Sequence, residues 1–161
     1  MRNKNIQLNR NTMRGSATVE LALLLIPLIV LAIGVAEFGR AMYEYNTLVK
    51  TTRDAARLLS QYDPNDAIYP KSIEKAKCLV VYGSTDDSIA CSGSTLLSGL
   101  TIDKVGIASS TAITGAGTSI NLVTVTVTGY TFNFIFNPLV FSGSADTNMP
   151  FGPIQATMRQ L

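Results

Sequence analysis

The N-terminal part of the chain contains an apolar run of membrane length, followed by an amphipathic stripe. Residues 21–36 include no charged side chain, and residues 16–20 add one carboxylate, that of Glu20. Together they approach the roughly 20 residues that a bilayer-spanning helix requires. Further along, apolar residues recur at steps of three and four as far as position 59, with charged residues between them. The pattern predicts one helix over residues 16–62, with its transmembrane part at about 17–36.

The remaining residues, 63–161, are predicted to form a small domain packed on the amphipathic half of this helix. Residues 72–82 are typical of one short extra helix, with Ser72 as its N-cap and Gly83 as its terminator. Alternating apolar and polar residues predict about three antiparallel strands, separated by turn-forming residues, at 102–110, 121–128 and 154–160. The expected fold class is therefore α+β, a long helix laid on a small antiparallel sheet.

An aromatic run follows the clearest strand. Up to Thr128, the valines of that strand occupy odd positions and the threonines even ones. After Gly129 the large apolar residues continue on even positions instead, at Tyr130, Phe132, Phe134 and Phe136. A bend or bulge at Gly129 would produce this change of face. The pattern leaves open whether the aromatic residues belong to the core or contact another subunit.

Charge is distributed unevenly along the chain. Residues 1–15 carry four basic side chains and no acid, whereas the rest of the chain holds 9 basic and 11 acidic residues. A basic leader ahead of an apolar run is expected to stay in the cytoplasm under the positive-inside rule. A mildly acidic folded part is unlike a nucleic-acid-binding domain, which clusters basic residues on its folded surface.

The sequence contains few signs of an enzyme or a metal site. It contains no histidine, which excludes imidazole-based triads and disfavours zinc sites, and it contains no convincing nucleophile motif. We therefore expect no enzyme activity, no metal, no cofactor and no small-molecule substrate. Its two cysteines, Cys78 and Cys91, are not in a CxxC redox motif. In an exported domain they most simply form one disulfide, which would contribute about 3 kcal/mol of stability.

Glu20 needs an explanation, because a carboxylate near the start of a membrane helix costs about 2.5–3.5 kcal/mol unless it is paired. Three interpretations compete. The run could be a signal peptide cut after Ala36, or an unprocessed signal anchor in which Glu20 favours the positive end of the helix dipole. Alternatively the chain is cut after Gly15, which makes Ser16 the new N-terminus and Glu20 the fifth residue. The free amine of an adjacent subunit would then be a partner for the carboxylate.

Several motifs in order resemble a known family. They are RGSATVELALLLIPLIVLAIGVAEFGRAMYEYNTL (14–48), then RDAARLLSQ (53–61), an alternating valine–threonine strand and a terminal ATMR (156–159). This order is similar to that of the TadE-like minor pseudopilins of the tight-adherence (Flp, type IVb) pilus system. Their pattern is a glycine, a short lead-in with glutamate, a leucine-rich stretch around a proline and then EFGR. The resemblance covers most of the chain, and residues 70–120 are the least distinctive part.

The resemblance implies a role in pilus assembly. It implies an inner-membrane protein with a cytoplasmic N-terminus and a periplasmic domain, processed by a prepilin peptidase at Gly15, Ser16 and Glu20. Its partners would be other pilins or pseudopilins and the assembly platform. Subunit packing would involve these helix residues: Glu20, Pro27, Glu37, Phe38, Gly39 and Arg40. The 99 residues after Tyr62 favour a minor over a major pilin. The alternative is an unprocessed, signal-anchored periplasmic binding or sensor domain.

Overall fold

The computed structural model describes residues 11–85, 91–136, 143 and 147–161, with side chains from residue 15 onwards. It confirms the α+β fold: one long helix, one short helix and antiparallel strands. The described elements are α1 (Asn11–Leu59), α2 (Tyr69–Tyr82), a 3₁₀ turn (Ile102–Lys104), β1 (Val105–Ile113), β2 (Ser119–Val127), β3 (Thr131–Asn133), β4 (Asn148–Pro150) and β5 (Ile154–Gln160).

Helix α1 is continuous over 49 residues, which corresponds to roughly 70 Å. Pro27 lies inside it without ending it. The helix ends three residues before the predicted boundary at 62, because the N–H groups of Gln61 and Tyr62 bond to carbonyls three residues back rather than four. These bonds tighten the last turn in the manner usual at helix ends. The chain thus leaves the helix well before Pro64.

Helix α2 begins earlier than predicted, and the assignment of Ser72 as its N-cap is wrong. The helix starts at Tyr69 with a proline in its first turn, a position where the missing N–H of proline has no intrahelical partner to lose. Ser72 is buried within the helix, and its Oγ donates to the carbonyl of Ile68 at 3.3 Å. Gly83 does terminate the helix, with φ of 74° and its N–H bonded to the carbonyl of Leu79 at 3.0 Å.

The three predicted strands form one antiparallel sheet in the order β1–β2–β5. Strands β1 and β2 both extend further toward their connecting turn than predicted. Ile113 pairs with Ser119, so the turn consists only of residues 114–118. Val123, Val125 and Val127 of β2 are buried in the core, as the alternation predicted. The opposite face is polar, and the hydroxyls of Thr124 and Thr157 bond across β2 and β5 at 2.8 Å.

A second, two-stranded sheet of β3 and β4 was not predicted. Strand β2 ends at Val127, and Gly129 adopts φ of 69°, which redirects the chain out of the first sheet. The change of face inferred at Gly129 is therefore a bend between two sheets. Tyr130 and Phe132 become buried, whereas Phe136 stays exposed, so the first part of the aromatic run belongs to the interior.

The main core lies between α1, α2 and the three-stranded sheet, where α1 contributes Leu48, Ala55, Ala56 and Leu59. The far end of this core is closed by β5. The Gln160 amide donates to the carbonyl of Leu59 at 3.4 Å, and the N–H of Leu161 donates to the carbonyl of Ser60 at 3.3 Å.

We expect Gly129→Ala to lower the free energy of unfolding by about 1–2 kcal/mol, the cost of a left-handed backbone for an L-residue. A Cβ at Gly129 would meet no atom within 4 Å, so the cost comes from the backbone alone. Chemical unfolding of the full chain in mild detergent measures it. Gly106→Ala in β1 is the control, because that Cβ would make one ordinary contact at 3.8 Å and no positive φ is involved. Equal losses in the two variants would contradict the prediction.

Candidate functional site: the apolar helix and its junction with the domain

The N-terminal part of α1 is exposed despite its apolar composition. Among the described residues, α1 is the one helix long and apolar enough to cross a membrane, and the most apolar part of it is not buried by the rest of the chain. Its large exposed side chains include Val19, Leu21, Leu24, Leu28 and Leu31. A helix surface of this composition needs lipid or other helices around it.

The three residues of the predicted processing site lie close together on this helix. Ser16 and Glu20 are one turn apart and exposed, and the Ser16 hydroxyl donates to Oε1 of Glu20 at 3.2 Å. A Cβ at Gly15 would meet nothing within 4 Å. The site is therefore accessible in the single chain, and its processing remains a prediction.

Pro27 lies in the middle of the exposed run. Because proline has no N–H, the carbonyl four residues earlier, that of Leu23, loses its helical donor. Leu23 and Leu28 on either side are both exposed. The helix surface around Pro27 is therefore exposed in the single chain, and the role of Pro27 in subunit packing remains a prediction.

A charged cluster lies where the apolar run ends. Glu37 is only 5% exposed, and its Oε2 binds Nη2 of Arg40 at 2.9 Å. Arg40 also binds Oε1 of Glu44 through Nη1 at 3.0 Å. Spacings of three and four residues place the three side chains on one face of α1.

The same face binds the segment that contains β3. Oε1 of Glu37 accepts hydrogen bonds from the backbone N–H groups of Ile135 and Phe136, each at 3.2 Å. Arg40 donates to the carbonyl of Asn133. The hydroxyl of Tyr130 donates to Oε2 of Glu44 at 2.7 Å. We call Glu37, Arg40, Glu44 and Tyr130 the junction cluster, because they attach residues 130–136 to α1.

The electrostatics of the junction cluster favour this arrangement. Burial alone would raise the pKa of Glu37, but the hydrogen bond from Arg40 and those from the N–H groups of Phe136 and Ile135 outweigh it, and the net pKa lies below its ordinary value. Burial, and then the hydrogen bond to Glu44, raise the pKa of Tyr130. Glu37 is thus held as an acceptor and Tyr130 as a donor.

Phe132 packs beneath this cluster. The Arg40 guanidinium carbon lies 4.2 Å from the centre of the Phe132 ring, a cation–π geometry. The Phe134 ring meets it edge-on at 5.1 Å, and the Phe151 ring stacks parallel to it at 6.3 Å. Because Phe132 is fully buried, these contacts connect the junction cluster to the interior of the domain.

The four residues of the EFGR motif divide into two pairs. Glu37 and Arg40 bind residues of their own chain. Phe38 is 67% exposed, and a Cβ at Gly39 would meet open space. All four were predicted to serve subunit packing, which remains a prediction. Glu44 was predicted from its helical spacing to pair with Arg40, and this ion pair is confirmed. Nothing in the local pattern indicates its contact with Tyr130.

The disulfide lies away from this site. Cys78 in α2 is bonded to Cys91, with the two Cα atoms 5.3 Å apart, and it ties the start of the loop at 91–99 to the helix. Within the described ranges, no three residues of the types His, Cys, Asp and Glu lie close enough to hold a metal ion.

Comparison with known families points to the same segment. Residues 15–57 match the family model described as TadE-like protein. The match begins at the predicted cleavage glycine and includes the apolar run, the EFGR motif and nearly all of the amphipathic half of α1. Neither a curated protein nor a solved structure matches the chain. Over residues 15–57, the chain therefore matches a TadE-like domain.

Proposed function

We propose that this protein is a membrane-anchored minor pseudopilin that acts in assembly of the Tad pilus after a prepilin peptidase has cut it between Gly15 and Ser16. The observation that carries the proposal is the form of α1. One unbroken helix joins an exposed apolar segment to a folded domain, and it carries a carboxylate five residues after the glycine. An ordinary anchor needs no such carboxylate.

The carboxylate of Glu20 is given a partner by processing. In the single chain it accepts a neutral hydrogen bond from Ser16. The amine that cleavage creates on a neighbouring subunit is a cation, and a charge-assisted bond to it is roughly twice as strong as a neutral one. In hydrocarbon, such pairing offsets the penalty of about 2.5–3.5 kcal/mol for an unpaired charge.

The remaining features fit an inner-membrane protein with its domain in the periplasm. The basic leader favours a cytoplasmic N-terminus. Lateral packing of α1 with other pilin-like helices would cover the exposed leucines and Phe38. The domain of residues 63–161 would dock against other subunits or the assembly platform. A protein of this kind is a structural component rather than an enzyme.

The first test is the mass of the mature N-terminus in native membranes. We expect a chain that begins at Ser16. Retention of residues 1–15 would support the unprocessed binding or sensor domain instead, and a start at Glu37 would support secretion. Gly15→Leu should abolish the cut, since a peptidase that needs close approach to the backbone accepts no side chain there. Gly34→Leu is the matched control, because a Cβ meets open space at both glycines.

Glu20→Ala distinguishes two roles of the carboxylate, which are recognition by the peptidase and pairing with the amine of a neighbouring subunit. We expect normal cleavage but loss of assembly, because the neighbour's amine then has no carboxylate to bind. The measurements are the mature mass and the amount of surface pili. Glu20→Gln keeps the shape without the charge and should behave like the alanine variant. Failure of cleavage in both variants would show that the carboxylate serves the peptidase.

A further inference from the structure

We propose that residues 134–136, which directly follow β3 and which we call the turn after β3, insert the side chains of Ile135 and Phe136 into the outer interface of the bilayer, where they contact lipid acyl chains. The inference rests on the membrane anchor of the proposed function and extends it to the folded domain. The domain would then lie directly on the membrane surface instead of standing clear of it on the amphipathic half of α1.

The position of Glu37 sets the depth of this turn. Glu37 is the first residue after the sixteen uncharged positions of α1. Side chains of an α-helix lean toward its N-terminus and cover the preceding turn. The Glu37 carboxylate, which binds the N–H groups of Ile135 and Phe136, therefore holds them beside the last turn of the apolar run.

Burial along the apolar run gives a second measure of depth. Val30, Ile33 and Gly34 are half-buried, whereas Leu31, Ala32, Val35 and Ala36 are exposed. With Glu37, the half-buried residues follow helical spacing and mark one face of α1. Position 30 lies roughly 10 Å below position 37 at 1.5 Å per residue. This face of α1 is therefore less exposed than the opposite face for about two turns below Glu37.

Large apolar side chains are exposed at this depth. Ile135 is 70% exposed and Phe136 is 61% exposed, and Phe38 is exposed at the same level of the helix. Soluble surfaces rarely group large apolar side chains in this way. Transfer of such a side chain out of water is favourable, because it removes apolar surface from contact with water.

Two backbone N–H groups of the turn have a hydrogen-bond partner within the protein. Irregular backbone at membrane depth needs partners from the protein, because lipid offers none. Glu37 accepts from two N–H groups of the turn, and Arg40 donates to the carbonyl of Asn133. A second protein could supply such partners itself, but acyl chains cannot. A buried ion pair at this place therefore fits lipid as the occupant.

The absence of tryptophan from the chain gives a direct test. Phe136→Trp introduces a single tryptophan into the full chain, reconstituted in phosphatidylethanolamine–phosphatidylglycerol vesicles. We expect blue-shifted emission that loses intensity when lipids with brominated acyl chains replace the ordinary ones. Leu28→Trp, inside the apolar run, is the control for the anchor. Ile113→Trp is the control for solvent, because Ile113 is 80% exposed at the far end of β1.

Each pattern of quenching has one meaning. Quenching of Leu28→Trp and Phe136→Trp, but not of Ile113→Trp, supports the inference. Quenching of Leu28→Trp alone overturns it and leaves the anchor standing. Absence of quenching at both Leu28→Trp and Phe136→Trp overturns the anchor and the inference together. A blue shift at Phe136→Trp without quenching, which grows with the protein-to-lipid ratio, would show that a second copy covers the turn and would also overturn it.

Discussion

Phe132→Ala is expected to lower the free energy of unfolding by about 4 kcal/mol, within the range for removal of a buried aromatic ring from a core. The ring is fully buried, and it packs on Phe134, Phe151 and the Arg40 guanidinium. Its loss leaves a cavity and removes the support beneath the junction cluster. Chemical unfolding of the full chain in mild detergent, followed by near-ultraviolet circular dichroism, measures the change.

Phe136→Ala is the matched control for this prediction. It removes the same ring from the same segment, but most of the Phe136 side chain is not packed against the chain. We expect only a small change in stability in detergent. If the two alanine variants unfold at the same denaturant concentration, the β3–β4 sheet does not stabilise the domain and the role assigned to Phe132 is wrong.

Arg40→Ala is expected to lower the free energy of unfolding by about 3 kcal/mol, at the low end of the range for breaking a buried ion pair from one side. The low end applies because the Arg40 side chain is 32% exposed, whereas that of Glu37 is 6% exposed. The variant leaves the Glu37 carboxylate buried without its cation. Hydrogen exchange of a peptide spanning residues 130–136 should rise as well, since Arg40 no longer binds the carbonyl of Asn133.

Arg53→Ala is the control, because Arg53 is exposed on the same helix. Its effect should stay near the few tenths of a kcal/mol typical of an exposed charge. Acid provides a second readout. The pKa of Glu37 lies below its ordinary value of 4.5 in the folded chain, so its contribution is present above that value and is lost as the pH falls through the folded pKa. A variant that matches the native chain in both exchange and acid response would contradict the assignment.

The main sheet could be predicted because the alternation that specifies each strand lies within the strand itself. Val123, Val125 and Val127 alternate with threonines, and this period of two places them in the core in any antiparallel arrangement. The change of face at Gly129 was also visible in the sequence. The second sheet could not be predicted, because the alternation around β3 does not identify a partner strand and β4 has three residues, too few to show a period.

The wrong assignment of Ser72 as an N-cap shows that N-cap preferences alone do not locate the start of a helix. Serine is a common N-cap, but Pro70 is equally suited to a first turn, and the two signals conflict at a distance of two residues. The structure follows the proline, and Ser72 bonds back to the Ile68 carbonyl instead.

Only those contacts of the junction cluster that lie within α1 could be predicted from the sequence. Glu37 and Arg40 were selected because of their motif and spacing. Their bonds to Asn133, Ile135 and Phe136 join residues 93 to 99 positions apart. No pattern within either segment identifies the other, because both are explained equally well by an exposed helix face and a free loop.

The closure of the core by β5 has a consequence for biosynthesis. Strand β5 is the last described element, and it pairs with β2 while Gln160 bonds to a carbonyl 101 residues earlier. Until residues 154–160 leave the ribosome, β2 keeps one unpaired edge and the C-terminal turn of α1 keeps a free acceptor. Folding of the domain therefore waits until these residues have been synthesised, and before then the nascent chain passes through a stage at which chaperones and proteases can reach the edge of its sheet.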